Sequence, residues 1–288
     1  MRKLSYLLFL LLSLAVLLTA CGGASKTAME PVEIPETALS LPETAYAEPV
    51  SAPAVVTEGR APAEHYDLPP SPAAAQKDPH YNMERWASGG VIELLAEDLK
   101  ADAAFYGLPY SEDAQETALI RWGDSLAEFD WYFITPRMIP PRMATMDLDG
   151  DGEEELIVLA YTGSGTGVSI YDLHVLEKNP DGTLTDYAMP GSLWQEQLPP
   201  LLRLVQANGR NFLILGRELL EIDIDHVLEG EIVPSTGYIA GFRLLPEENA
   251  VQLLGAVALQ SPTSYAADYT ADVGYRNGVF TLSGFHLQ

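Results

Sequence analysis

Cysteine is almost missing from this sequence: of 288 residues, only Cys21 carries a thiol. A chain with one thiol forms no internal disulfide, so its stability has to come from a packed core or a bound ion. Basic residues are scarce too. Lys and Arg number 16 against 41 Asp and Glu, a formal charge of −25. That balance excludes non-specific nucleic-acid binding, which depends on Lys and Arg neutralising phosphates. It also sets the chain against anionic lipid headgroups. Catalytic signatures are missing as well. Gly163-Ser164-Gly165-Thr166-Gly167 is glycine-rich. However, no Lys-Ser/Thr follows it, as a P-loop requires, and a β-type run stands where a dinucleotide fingerprint needs a helix. Thr162 occupies the position where a G-x-S-x-G nucleophile elbow needs glycine.

What is present begins at the N-terminus. Met1-Arg2-Lys3 is positively charged, and Leu4 to Leu18 is almost wholly apolar. That run has the length of a signal-peptide core and is short for a membrane span. Leu18-Thr19-Ala20-Cys21 then resembles the lipobox of bacterial lipoproteins, with Gly22-Gly23 behind it. An ordinary signal peptide or an uncleaved anchor helix are the alternatives. The resemblance implies that residues 1–20 are removed and that Cys21 becomes a diacylated, palmitate-type N-terminus. The address is then the extracytoplasmic face of a bacterial cell membrane. Two acyl chains anchor stably where a single chain does not. Removing Arg2 and Lys3 takes the charge from −25 to −27, so lipid rather than charge holds such a chain at the membrane.

Residues 21–80 read as a lipidated cysteine followed by a disordered linker. From Ala24 to about His80, Pro, Ala, Glu, Ser and Thr dominate, as in Pro69-Pro70-Ser71-Pro72. This composition offers too little apolar surface to offset the entropy of ordering. Proline would stiffen it toward a reach of about 3.1 Å per residue. His65 and His80 fall here without a ligand partner at a useful spacing and read as solvated.

Residues 81–288 have the length and apolar content of a globular domain. Val91, Leu94, Leu95 and Leu99 recur at the spacing of an amphipathic helix that Gly107 and Pro109 would end. A second helix is expected from Asp113, with Glu116 completing a capping box. Its buried stripe would be Ala118, Leu119, Trp122, Leu126 and Phe129, with Gly123 inside it. Residues 81–133 are therefore expected to be helical. Trp131-Tyr132-Phe133 reads as core beneath an irregular, proline-punctuated connection.

The most specific stretch runs from Asp147 to Glu155. Asp147, Asp149 and Asp151 alternate, so a curled backbone can turn three carboxylates toward one centre, and Gly152 permits the sharp turn. Ca²⁺ wants six to eight oxygens. The Glu153 backbone carbonyl and the Glu155 carboxylate, directly or through water, would extend the shell. An EF-hand needs Glu at the twelfth position, where Val158 stands, and a second helix, where the β-type run Leu156 to Tyr161 follows. A D-x-D-x-D-G-x-x-[DE]-[LI] loop that opens into a hydrophobic strand resembles the FG-GAP/VCBS-type calcium loop of extracellular β-proteins. Extended through Thr162–Ser169 into Ile170–Val175, the pattern resembles a type of Firmicute surface lipoprotein. The resemblance implies a structural Ca²⁺ held by Asp147, Asp149, Asp151, Glu153 and Glu155. The loop occurs once, so a full propeller is not implied.

Residues 155–288 look β-rich. Leu156–Tyr161 and Val168–Leu176 read as neighbouring strands, and Asn208-Gly209 and Asn277-Gly278 read as hairpin turns. The expected fold class is α+β, with N-terminal helices followed by a mainly antiparallel β domain. Asp172 and His174 share a strand face, as a base and its orienting group would, but a satisfied, partly buried histidine is the simpler reading. Asp223, Asp225, His226 and Glu229 form a second acidic patch with no glycine turn to organise it. With no catalytic residues to assign, the leading expectation is a non-enzymatic binding or interaction module with a cell-surface ligand or protein partner. The alternative is a secreted, carboxylate-dependent hydrolase acting on glycan or peptide.

Overall fold

Alternating polar and apolar residues mark a strand with one wet face, whereas a strand covered on both faces is apolar throughout. Both kinds occur here. The computed structural model describes residues 49–62, 65–68, 92–108, 117–134, 141–223, 233–259 and 264–288. The leader, Cys21, most of the expected linker and Asp225, His226 and Glu229 lie outside the described residues. The chain opens with β1 (Val50–Pro53) and β2 (Val55–Glu58), then β3 (Glu93–Asp98), β4 (Ala103–Gly107), β5 (Ala118–Trp122) and β6 (Ser125–Phe129). The acidic loop connects β7 (Arg142–Met146) to β8 (Glu155–Gly165), and β9 (Val168–Lys178) and β10 (Leu184–Ala188) follow. The short helix α1 (Ser192–Gln195) leads to β11 (Leu202–Ala207), β12 (Arg210–Leu215) and β13 (Glu218–Ile222). The last four strands are β14 (Ile239–Leu245), β15 (Ala250–Ala258), β16 (Tyr265–Arg276) and β17 (Val279–Leu287).

This architecture overturns the α+β expectation: the described part of residues 81–133 forms a four-stranded antiparallel sheet in the order β3-β4-β5-β6, with no helix. Local features of these strands imitated helical spacing. A bulge between Leu94 and Ala96 shifts the β3 register by one residue, so the neighbours Leu95 and Ala96 serve one core while Leu94 serves another. Leu99, counted in the helical stripe, is 64% exposed in the turn after β3. Gly123, read as a helix-interior glycine, instead opens the tight turn between β5 and β6 with φ +59°. Ala118, Ile120 and Trp122 point into one core while Leu119 points into another, which hides the period of two.

The remaining strands build a ten-stranded sheet that branches at β9. One β9 edge carries β8, which carries β7. The other edge is shared. Ser169 and Ile170 pair in parallel with β14, and residues from His174 onward pair antiparallel with β10. From β14 the order runs through β15, β16 and β17 to β1, and from β10 it runs to β2. Only Ala54 separates β1 from β2, so the two ends of the hydrogen-bonded path meet in the chain and the sheet is a nearly closed barrel. The Asn208-Gly209 and Asn277-Gly278 turns stand where the sequence placed them, all four residues at positive φ.

Two large cores result. Leu159, Leu173, Phe242, Leu253 and Phe280 of the barrel pack with Leu193 and Trp194 of α1 and with Leu213 and Leu215 of the sheet β11-β12-β13. Phe105, Ile120 and Phe129 of the four-stranded sheet pack against Leu156, Val158, Leu176 and Leu184 of β8, β9 and β10. The stretch that closes the barrel also ties in the four-stranded sheet. Gly59 N–H donates to the Leu184 carbonyl (2.9 Å), and Arg60 exchanges both backbone hydrogen bonds with Glu128 of β6. Residues 50–60 therefore belong to the folded domain, although their composition assigned them to the linker.

Gly59 has no room for a side chain. A Cβ there would stand 2.8 Å from Ala127 Cβ, 2.8 Å from Phe129 Cζ and 3.0 Å from the Leu184 carbonyl oxygen. We expect Gly59→Ala to destabilise the domain by roughly 1–3 kcal/mol, the usual cost of overpacking. Urea unfolding of the two proteins checks it, and an unchanged midpoint would mean that this junction is loosely packed.

Candidate cation site

The acidic loop spans the end of a β-hairpin: Met146 and Glu155 are the closing pair, and residues 147–154 form the connection. Strand β7 is anchored on its outer edge by Asp98. Its Oδ2 accepts from the Thr145 N–H (3.0 Å) and hydroxyl (3.2 Å), while its Oδ1 accepts from the N–H groups of Lys100 and Ala101. Strand β8 is buried from Glu155 to Tyr161 without a break. The loop is thus fixed at both ends.

Within it, each aspartate organises backbone. Asp147 Oδ1 accepts from Gly150 N–H (2.9 Å) and its Oδ2 from Gly152 N–H (3.2 Å). Asp149 Oδ1 accepts from Asp151 N–H (3.0 Å), and Asp151 Oδ1 from Glu153 N–H (2.8 Å). Gly150 and Gly152 have φ +77° and +98°. A Cβ at either would meet nothing within 4 Å, so the need for glycine is conformational. One oxygen from each of Asp147, Asp149 and Asp151 lies within 4.8 Å of the others. This brings together three of the five residues that the sequence offered as ligands, in an arrangement able to hold a cation. Coordination does not compete with these hydrogen bonds, because a carboxylate oxygen has two lone pairs.

The side chains of the other two residues lie outside that cluster. Glu153, expected to act through its backbone carbonyl, has an exposed side chain, and its N–H donates to Asp151. Glu155 is 4% exposed and turns back under the loop, where its Oε2 accepts from Leu148 N–H at 2.7 Å. It splints the loop from below. Burial pushes its carboxyl up to about 7, with the Leu148 N–H opposing the rise and the Asp149 and Asp151 charges adding to it. The spacing that made Glu155 a ninth-position ligand gave no sign of this backbone role.

A second polar cluster lies inside the protein. His174 of β9 is buried as the sequence reading held, but its partner is Asp186 of β10 rather than Asp172. Its Nδ1 is 2.9 Å and 3.1 Å from the two Asp186 oxygens. Trp131 Nε1–H donates to Asp186 Oδ2 at 2.7 Å, and the Trp131 ring stacks on the imidazole with centroids 3.9 Å apart. Trp131 and Phe133 are core, as expected of that aromatic run, while Tyr132 is 62% exposed. Sequence reasoning missed Asp186 because nothing in the intervening residues 175–185 marks its pairing with His174.

Comparison with family models, with curated proteins and with solved structures returned no match.

The Glu155 carboxyl sets a pH dependence for the ion-free protein. Its folded-state value, about 7, lies above the ordinary 4.5, so the native state binds this proton more tightly than the unfolded chain. Stability on its account falls as pH rises from about 4.5 to about 7. In EDTA, Glu155→Gln should remove that decline, leaving the variant at least as stable as the parent above pH 7. Melting curves across this range decide it, and parallel declines in both proteins would remove Glu155 as the cause.

Proposed function

We propose that this chain is a bacterial surface lipoprotein, anchored at the extracytoplasmic membrane face through an acylated Cys21. In this reading its β-domain is a non-enzymatic binding or interaction module for a cell-surface ligand or protein. One structural Ca²⁺ sits in the loop between β7 and β8. The observation that carries the metal part is the convergence of Asp147, Asp149 and Asp151 at the mouth of a doubly buried strand. An all-oxygen ligand set of carboxylates on a glycine-turned backbone suits a hard cation, and Ca²⁺ tolerates the irregular geometry that Mg²⁺ does not. Six acids crowd residues 147–155 with no base among them, so a divalent cation would relieve their mutual repulsion. The ion is read as structural because the loop feeds a buried strand and no base or nucleophile motif adjoins it.

The anchoring part rests on the N-terminal sequence. Val50 begins the strand that closes the barrel, so a tether from Cys21 enters the domain at its closing strand. The excess of acid keeps the domain off anionic headgroups and off nucleic acid, leaving lipid as the means of retention.

Two experiments test this reading. Extracellular calcium modules bind at about 10⁻⁴–10⁻³ M, so roughly 10 mM CaCl₂ against a site of about 0.1 mM should add about 2.7 kcal/mol. Thermal unfolding in EDTA and in CaCl₂ should show that rise for the parent and none for Asp149→Ala. Equal melting temperatures with and without calcium in the parent would reduce the loop to an acidic turn. For the anchor, Cys21→Ser should move the protein from the membrane fraction to the soluble fraction, and its continued retention would refute lipid anchoring.

A further inference from the structure

The His174 cluster joins two parts of the fold. His174 and Asp186 belong to barrel strands β9 and β10, whereas Trp131 follows β6 of the four-stranded sheet. Asp186 accepts from both other members, and Trp131 also covers the imidazole face. Trp131 is in turn built into the aromatic packing of its own sheet, stacked on Phe129 at 5.1 Å and edge-on to Phe105 at 5.7 Å. A displacement at the imidazole is therefore felt by β4 and β6.

We propose that His174, Asp186 and Trp131 form a proton-operated clasp between the barrel and the four-stranded sheet, closed when the imidazole is charged and loosened when it loses its proton. Two contacts favour the charged form, set against an Nε2 that is buried without a hydrogen-bond partner among the described residues. The Asp186 carboxylate gains a counter-ion, and the indole face attracts a cation. Without the proton, Asp186 is left as a buried anion with only neutral donors, which is the costly arrangement for a charge 1% exposed. The groups facing His174 are few among the described residues. Asp186 faces it from β10 and Asp172 from β9 itself, whereas β8 presents Val158 and the segment after β6 presents Trp131. Burial opposes the charge on His174, but Asp186, through charge and hydrogen bond, and Asp172, through charge, outweigh it and hold the imidazole above its ordinary value. For a raised histidine the stabilisation is complete below the unfolded value, near 6.5, and is lost as pH rises through the folded one.

Nitrogen-15 NMR of the full chain, labelled at histidine and tryptophan, tests the clasp directly. Titrated from about pH 5 to about pH 10, the His174 ring nitrogens should change from the imidazolium to the neutral pattern with a midpoint above about 6.5. The Trp131 indole N–H should move with the same midpoint. Asp186→Asn keeps an oxygen for the indole but removes the charge, and it should carry the His174 midpoint below that of the parent. A His174 that stays neutral throughout, or a Trp131 signal that ignores its titration, would overturn the proposal in the parent protein alone, even if the variant fails to fold.

Discussion

From Glu155 to Tyr161 strand β8 has no solvent face, and most of the architecture follows from that constraint. Ile157, Leu159 and Tyr161 point into the barrel core, while Leu156, Val158 and Ala160 point into the core shared with the four-stranded sheet. Each of the Leu, Ile and Val side chains contributes roughly 1.5–3 kcal/mol when fully buried, an upper bound because the unfolded chain already hides some of that surface. Burial on two faces also requires both strand edges to be paired, and β7 and β9 supply those partners. A strand so enclosed can begin only where the chain leaves the core. That point is the acidic loop, whose charges hold the hairpin end in water.

The stretch from Val50 to Arg60 meets a second requirement of the same geometry. A curled sheet with two open edges invites pairing with other chains. Here β1 covers the β17 edge and β2 covers the β10 edge. Arg60 then reaches the four-stranded sheet, where its guanidinium forms a paired contact with Asp130, both distances 2.6 Å. That ion pair is exposed, so its energetic share is small; the backbone pairing and the close packing at Gly59 do more. The sequence around it, Val50-Ser51-Ala52-Pro53-Ala54-Val55-Val56, resembles its proline- and alanine-rich surroundings in composition. Closure is a long-range event, and nothing local distinguishes a closing strand from a linker.

Legibility of the rest follows the range of the interactions involved. The hairpins at Asn208-Gly209 and Asn277-Gly278 were readable because a positive-φ turn is dictated by the two residues that make it. The three clustered aspartates of the acidic loop were readable for the same reason: their spacing acts through their own backbone. The four-stranded sheet was not, because its strands are apolar on both faces and one carries a bulge, so neither period stands out. Glu155 was recognised as belonging to the loop but not as its buried support, since that role depends on how the hairpin closes. Asp186 carried no signal at all. Its importance comes from two aromatic rings brought to it by other strands.

The loop and the clasp lie on the same pair of strands, with Val158 of β8 directly opposite His174 of β9 and Glu155 three residues earlier. Their electrostatics share a sign. Both Glu155 and His174 hold a proton more tightly in the folded state, so both withdraw stability as pH rises. Asp130 acts in the opposite direction: the hydrogen bond from Arg60 holds it below the ordinary carboxylate value, and its contribution is lost on acidification. The two alkaline losses differ in what can reverse them. A cation in the loop would offset the repulsion that Asp149 and Asp151 exert on Glu155, but it supplies no charge to the interior at Asp186. Calcium would therefore flatten the decline between about pH 4.5 and about pH 7 and leave the decline above it in place. A stability profile that calcium corrected over its whole length would show that the loop alone governs the pH response and that the buried histidine is merely packing.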